Sequence, residues 1–136
     1  MAYGLWLEDV TSYICDNMYG RYNDIAAIYL CGGFQNVVFN GGAVEGNHGH
    51  AIWVENVPID TAFPKLTLNN FYLESNGDLA VLRPAVKIQK HSKLHVDVVG
   101  GSYWQNVANR VTKGVYDWFQ CNSIMHQLTD IIIVKD

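Results

Sequence analysis

The sequence predicts an all-β protein in which one strand-rich unit repeats along the chain as a solenoid. Short runs that alternate apolar and polar residues fill much of the 136-residue chain, as half-buried strands do. Glycine and asparagine, which tolerate the left-handed backbone of tight turns, lie between these runs. Similar segments recur at spacings of 23 to 34 residues. Units of that length without helices stack as the coils of a parallel β-helix, about 4.8 Å apart.

The first repeated element is a strand that starts at Gly4, Ala27, Ala51 and Ala85, with a related segment at Val115. Alternate residues of a strand face opposite sides, so the aliphatic side chains of this strand are predicted to face inward. The outward residues are, in chain order, Trp6, Tyr29, Trp53 and Lys87, with Asp117 next. The repeat therefore predicts a stripe of aromatic side chains along one outer surface.

The second repeated element is a strand and turn that close on an asparagine. Segments 36–47, 65–76 and 93–106 align, so their last residues lie 29 and 30 residues apart. We interpret the recurring asparagines as structural residues whose amides bond the turn backbone and stack on one another. These asparagines are Asn40, Asn47, Asn69, Asn76 and Asn106.

Two features compete with this interpretation. Residues 104–115 form the one candidate helix, but their weak apolar spacing favours strand or loop. A β-sandwich would also contain short strands and turns. It does not require the same strands to recur in the same order with the same flanking residues, so the parallel β-helix is favoured.

Composition limits the classes of function. Charged residues make up 16% and hydrophobic residues 49% of the chain, which excludes a disordered protein. A net charge of −4 argues against a nucleic-acid-binding surface. No apolar stretch reaches the roughly 18 residues of a transmembrane helix, and the first residues lack a signal-peptide pattern. We therefore expect no nucleic-acid partner and no membrane insertion.

The chain length predicts one domain spanning residues 1–136. Its three cysteines are widely spaced and form neither a disulfide framework nor a metal motif. His48 and His50 have the spacing of two ligands, but no third ligand is evident, so neither metal nor cofactor is expected. Both ends fall on strand-forming residues. We therefore expect a segment of a longer chain, or a subunit whose ends are capped by partners.

The motifs AIWVEN, at residues 51–56, and LTLNNFYLESN, at residues 66–76, resemble coils of the right-handed parallel β-helix of pectate-lyase-like proteins. Within that superfamily they are most similar to bacteriophage tailspikes. The resemblance covers residues 3–136 in the style of the coils. It does not extend to the acidic calcium cluster and arginine motif of pectate lyases. It implies about five right-handed coils, a homotrimer, a place in the phage tail of the virion, and a host surface polysaccharide as partner.

Glu45 and Glu74 are the candidate catalytic residues, because they occupy matching positions 29 residues apart. In register, their carboxyl groups would lie side by side on adjacent coils. Glycosidases use such a pair, one carboxyl as acid and the other as nucleophile or base. Trp104 falls on the next coil and would form one wall of a sugar subsite. The alternative is that both glutamates are solvated turn residues.

The aromatic stripe of Trp6, Tyr29 and Trp53, with Glu55 beside it, has two interpretations. Exposed apolar patches usually mark interfaces, so the stripe is expected to contact another subunit. Aromatic faces also pack against the C–H faces of pyranose rings, so the stripe is a second candidate for polysaccharide binding.

Three functions stay open at the level of the sequence. The first is a tailspike or tail-fibre module that recognises a host polysaccharide, with or without cleaving it as a depolymerase. The second is a non-enzymatic structural component of the virion. The third is a secreted bacterial carbohydrate-active enzyme. If the protein is an enzyme, it is expected to be a glycoside hydrolase or a polysaccharide lyase.

Overall fold

The computed structural model describes residues 2–78, 85–89, 93–104 and 132–135. These residues form eleven strands and no helix. The strands are β1 (Tyr3–Glu8), β2 (Ser12–Arg21), β3 (Ala26–Cys31), β4 (Asn36–Glu45), β5 (His50–Glu55), β6 (Lys65–Asn69), β7 (Tyr72–Glu74), β8 (Val86–Gln89), β9 (His95–Val99), β10 (Ser102–Trp104) and β11 (Ile132–Lys135).

The strands form two sheets, and every strand pair is parallel. The first sheet has the order β1-β3-β5-β8-β11. The second has the order β10-β7-β4-β6-β9, and β2 also pairs with β4. Along the described residues the chain passes repeatedly from the first sheet to the second and back, and β6 with β7, like β9 with β10, are consecutive strands of the second sheet. The prediction of an all-β fold with parallel strands is confirmed.

The register joins the residues that the repeat alignment matched. In the first sheet Leu5 pairs with Ile28, which pairs with Ile52, which pairs with Val86. In the second sheet Val37, Leu66 and Val96 follow one another in the same way. Most of these side chains belong to one buried apolar cluster. Burial of each such side chain stabilises the fold by roughly 1.5–3 kcal/mol.

Left-handed backbone residues recur in columns where the strands end or bend. One column contains Asp9, Gly32 and Asn56, at φ values of 52°, 72° and 57°. The register aligns two further columns. Their members are Asn17, Gly41 and Asn70 in one, and Tyr22, Gly46 and Ser75 in the other. Each repeat therefore turns with the same local geometry, although only some of these positions are glycine.

A ladder of buried asparagines links the repeats inside the fold. Asn23, Asn47 and Asn76 are only 3%, 1% and 0% exposed. The Oδ1 atom of Asn47 accepts hydrogen bonds from Asn23 N and Nδ2, both at 2.8 Å. Nδ2 of Asn47 donates to Oδ1 of Asn76 at 2.7 Å. Asn40 and Asn69 form a second, more exposed ladder, which begins at Asp16.

Several sequence-based predictions lie outside the described residues. These are Asn106, the segment that starts at Val115 with Asp117, and all of the candidate helix after Trp104. Trp104 itself is the last residue of β10. No helix of the described residues is long and apolar enough to cross a membrane.

Candidate functional site

A row of charged residues crosses the outer side of the second sheet where β2, β4 and β7 end. The register places Arg21 beside Glu45, Glu45 beside Glu74, and Glu74 beside Trp104. Gly20, Val44 and Leu73, which precede the charged residues, are buried. Because successive strand residues face opposite sides, the charged side chains lie on the outer surface.

Two tyrosines complete this surface, which we call the carboxylate face and define as Tyr19, Arg21, Glu45, Tyr72 and Glu74. The Tyr19 hydroxyl donates to Oε1 of Glu45, and the Tyr72 hydroxyl donates to Oε2 of Glu74. Nη2 of Arg21 lies 3.0 Å from Oε1 of Glu45. The two predicted catalytic carboxylates therefore belong to paired residues of neighbouring strands, and each accepts a hydrogen bond from a tyrosine hydroxyl.

The hydrogen bonds to the glutamates raise the pKa values of Tyr19 and Tyr72 above the usual 10.0, and desolvation raises them further. Both phenols therefore stay protonated in neutral solution and act as donors toward the carboxylates. Each glutamate oxygen that accepts such a bond is held in place. This arrangement can orient a carboxylate toward a ligand on the outer surface.

Aromatic rings flank the charged row. Tyr19 is 59% exposed, and Tyr22, just after β2, is 63% exposed. The guanidinium carbon of Arg21 lies 5.8 Å from the Tyr19 ring centroid and 5.2 Å from that of Tyr22, within cation–π range. Exposed aromatic faces and fixed carboxylates are the groups that bind the apolar faces and the hydroxyls of sugars.

The predicted aromatic stripe lies on the outer side of the first sheet as a packed ladder. The ring centroids of Trp6 and Tyr29 are 4.6 Å apart, and those of Tyr29 and Trp53 are 5.1 Å apart. The Trp6 and Tyr29 rings are tilted at 59°, and the Tyr29 and Trp53 rings pack edge against face at 74°. Tyr29 is only 5% exposed, whereas Trp6 is 49% exposed. A flat platform over all three rings is therefore not presented to solvent, and Trp6 offers the open aromatic surface.

The other end of the ladder is covered by polar side chains. Nζ of Lys87 lies 4.4 Å from the Trp53 ring centroid, and the His50 ring centroid lies 5.3 Å from it. The indole Nε1 of Trp53 is buried and has no hydrogen-bond partner among the described residues. Glu55 pairs in register with Cys31 in the first sheet. Glu55 therefore belongs with the ladder and is not brought to the carboxylate face.

Sequence reasoning did not identify Tyr19, Arg21 and Tyr72 as site residues. A signal for the first two exists, because residues 12–23 align with residues 36–47 at an offset of 24. That alignment matches Arg21 with Glu45 on the strength of residue spacing alone. Among the described residues, no group of three histidine, cysteine, aspartate or glutamate side chains could hold a metal ion.

No family model matches the chain. The curated proteins and the solved structures likewise contain no match. The function is therefore inferred from the residues and their geometry.

Proposed function

We propose that this chain is a polysaccharide-binding module built as a right-handed parallel β-helix of about five coils, similar to those of phage tailspikes. Support comes from the chain's alternation between two parallel sheets and from the constant register of its repeats. The recurring left-handed corners give further support. The module would belong to a virion tail, with a secreted enzyme as the alternative setting.

The carboxylate face is the proposed polysaccharide site. The observation that carries this proposal is the row of Arg21, Glu45 and Glu74, in which each glutamate accepts from a tyrosine hydroxyl. Carboxylates accept hydrogen bonds from sugar hydroxyls, and the exposed Tyr19 and Tyr22 rings offer stacking surfaces.

The same two glutamates are proposed to hydrolyse the glycosidic bond. Neighbouring parallel strands lie about 4.8 Å apart, which suits the roughly 5–5.5 Å carboxyl separation of a retaining glycosidase. Glu45 is bonded to the Arg21 guanidinium and would act as the carboxylate nucleophile. Glu74, a carboxylate in the free protein, would take up a proton when the glycan binds and donate it to the leaving oxygen. It would later accept a proton from the attacking water.

The test is the release of reducing ends from a panel of bacterial capsules and lipopolysaccharides. Glu45→Gln and Glu74→Gln should each lower the rate at least about 100-fold, because each removes one of the two carboxyl groups. Asp60→Asn, in the exposed loop between β5 and β6, is the control with the same charge change. Full activity in both glutamate variants would overturn the catalytic assignment. Binding without cleavage by the unchanged protein would limit the function to recognition.

A second candidate function is a structural subunit of a homotrimer. The observation that favours it is the exposure of large apolar side chains outside the carboxylate face. Trp6 is 49% and Ile14 is 62% exposed, and exposed apolar area marks a contact between subunits where it forms a continuous patch. The test is the mass of the protein in solution, measured by light scattering for the unchanged chain and for Trp6→Glu.

A further inference from the structure

The charges on the carboxylate face restrict the kind of polysaccharide that it can take. Two glutamates and one arginine follow one another in the row, so their formal sum is one negative charge. The described part of this surface is therefore acidic, in keeping with the chain's net charge of −4.

Arg21 is already engaged within the protein. Its Nη2 atom is 3.0 Å from Oε1 of Glu45, and the guanidinium lies against the rings of Tyr19 and Tyr22. A ligand carboxylate or sulfate would have to compete with Glu45 for this cation. It would also approach Glu74, whose charge would repel it. The anion-binding capacity of Arg21 is thus used internally.

The hydrogen-bonding groups of the carboxylate face also favour an uncharged ligand. Both phenol hydroxyls donate to the glutamates, so the carboxylate oxygens that remain open are acceptors. Sugar hydroxyls and amide N–H groups can donate to such acceptors. The ionised carboxylate of a uronic acid or a sialic acid cannot.

We propose that the carboxylate face selects uncharged glycans, built of hexoses and N-acetylhexosamines, over glycans that carry carboxylate or sulfate groups. This inference rests on the proposed function, because it specifies the substrate class of the same site. Glu45 also contributes to this selectivity, because its ion pair with Arg21 keeps the guanidinium from binding an anionic group of the ligand.

The experiment is affinity electrophoresis in gels that contain matched neutral and anionic polymers. The probes are dextran with carboxymethyl dextran, and galactan with polygalacturonate, together with the capsules and lipopolysaccharides of the activity panel. The protein should bind neutral polymers more tightly than anionic ones and be retarded more strongly by them. The affinities should differ by about threefold or more, which is the effect of one repelling charge some 6 Å away. Raising the salt concentration from about 0.1 M to 1 M shortens the Debye length from about 10 Å to 3 Å. The difference in affinity between neutral and anionic polymers should therefore become smaller.

Three variants separate the charge on the face from the net charge of the protein. Glu45→Gln should move the preference toward anionic polymers more than Glu74→Gln does, because it also releases Arg21. Asp60→Asn changes the net charge equally and should leave the preference unchanged. Equal or stronger retardation by anionic polymers of the unchanged protein would overturn this inference and leave the polysaccharide-binding proposal standing. Retardation by no polymer of the panel would overturn the proposed function, and this inference with it.

Discussion

At the scale of single residues, backbone conformation decides which side chains the repeat accepts at its corners. Asn17, Gly41 and Asn70 share one column, and all are left-handed, with φ values of 55°, 65° and 49°. Asparagine and glycine are the residues that adopt this conformation at least cost. Gly42, next in the chain, is more constrained, because a Cβ atom there would lie 2.2 Å from the backbone oxygen of Met18.

Gly42→Ala should therefore destabilise the protein by roughly 1–3 kcal/mol, since both the φ of 98° and the close approach of Met18 oppose a side chain. Unfolding in urea, followed by tryptophan fluorescence, measures the change. Gly33→Ala is the matched control. Its Cβ atom would meet ordinary contacts at 3.7 Å and 3.8 Å, so its midpoint should move far less. Equal shifts in the two variants would contradict this account.

At the scale of elements, the sequence predicts the first column of strands closely. The apolar run from Gly4 to Leu7 lies inside β1, and the run Ile52–Val54 lies inside β5. The alternation is clear there because the buried side chains are aliphatic. The registers of these strands agree with the repeat alignment, and so does the pairing of Glu45 with Glu74.

The strand β2 was not predicted, and two of the five residues of the carboxylate face were missed with it. Its segment SYICDNMYGR contains one left-handed residue, Asn17, and buries only Gly20 fully, so apolar alternation is weak. Similarly, Gly41 and Gly42 interrupt the apolar alternation, so the sequence does not indicate that β4 continues to Glu45. Tyr72 and Arg21 are site residues only because of hydrogen bonds and ion pairs that periodicity within one strand does not encode.

The asparagine ladder couples one repeat to the next, so Asn47→Ala should cost more than the loss of a single hydrogen bond. Asn47 is 1% exposed, and replacing it removes the hydrogen bonds that its side chain makes with the buried Asn23 and Asn76. We expect a loss of about 3 kcal/mol or more in the free energy of unfolding. Asn69→Ala, in the more exposed ladder, is the control and should lose about 1 kcal/mol. Chemical denaturation compares the two. A smaller loss for Asn47→Ala than for Asn69→Ala would show that burial does not set the cost.

At the scale of the whole molecule, the two outer surfaces differ in how much of their aromatic side chains is already packed within the protein. Tyr29 and Trp53 pack against one another, and Lys87 covers the Trp53 ring. Trp6 has one ring neighbour in the next repeat, Tyr29, and remains 49% exposed. The indole of Trp6 is therefore where the ladder has apolar area left to bury against another subunit.

Trp6→Glu should weaken self-association and leave folding largely intact, because the side chain is half exposed and lies in the edge strand β1. Burying a side chain of this type contributes roughly 1.5–3 kcal/mol, so the dissociation constant should rise at least about tenfold. Light scattering over micromolar concentrations gives the mass, and the urea midpoint checks the fold. Tyr22→Glu is the control, because Tyr22 is 63% exposed but lies beside the carboxylate face. If the unchanged protein is a monomer at every concentration, the structural-subunit proposal is wrong. If Tyr22→Glu disrupts the assembly and Trp6→Glu does not, the subunits meet through the carboxylate face, and that face is not free to bind polysaccharide.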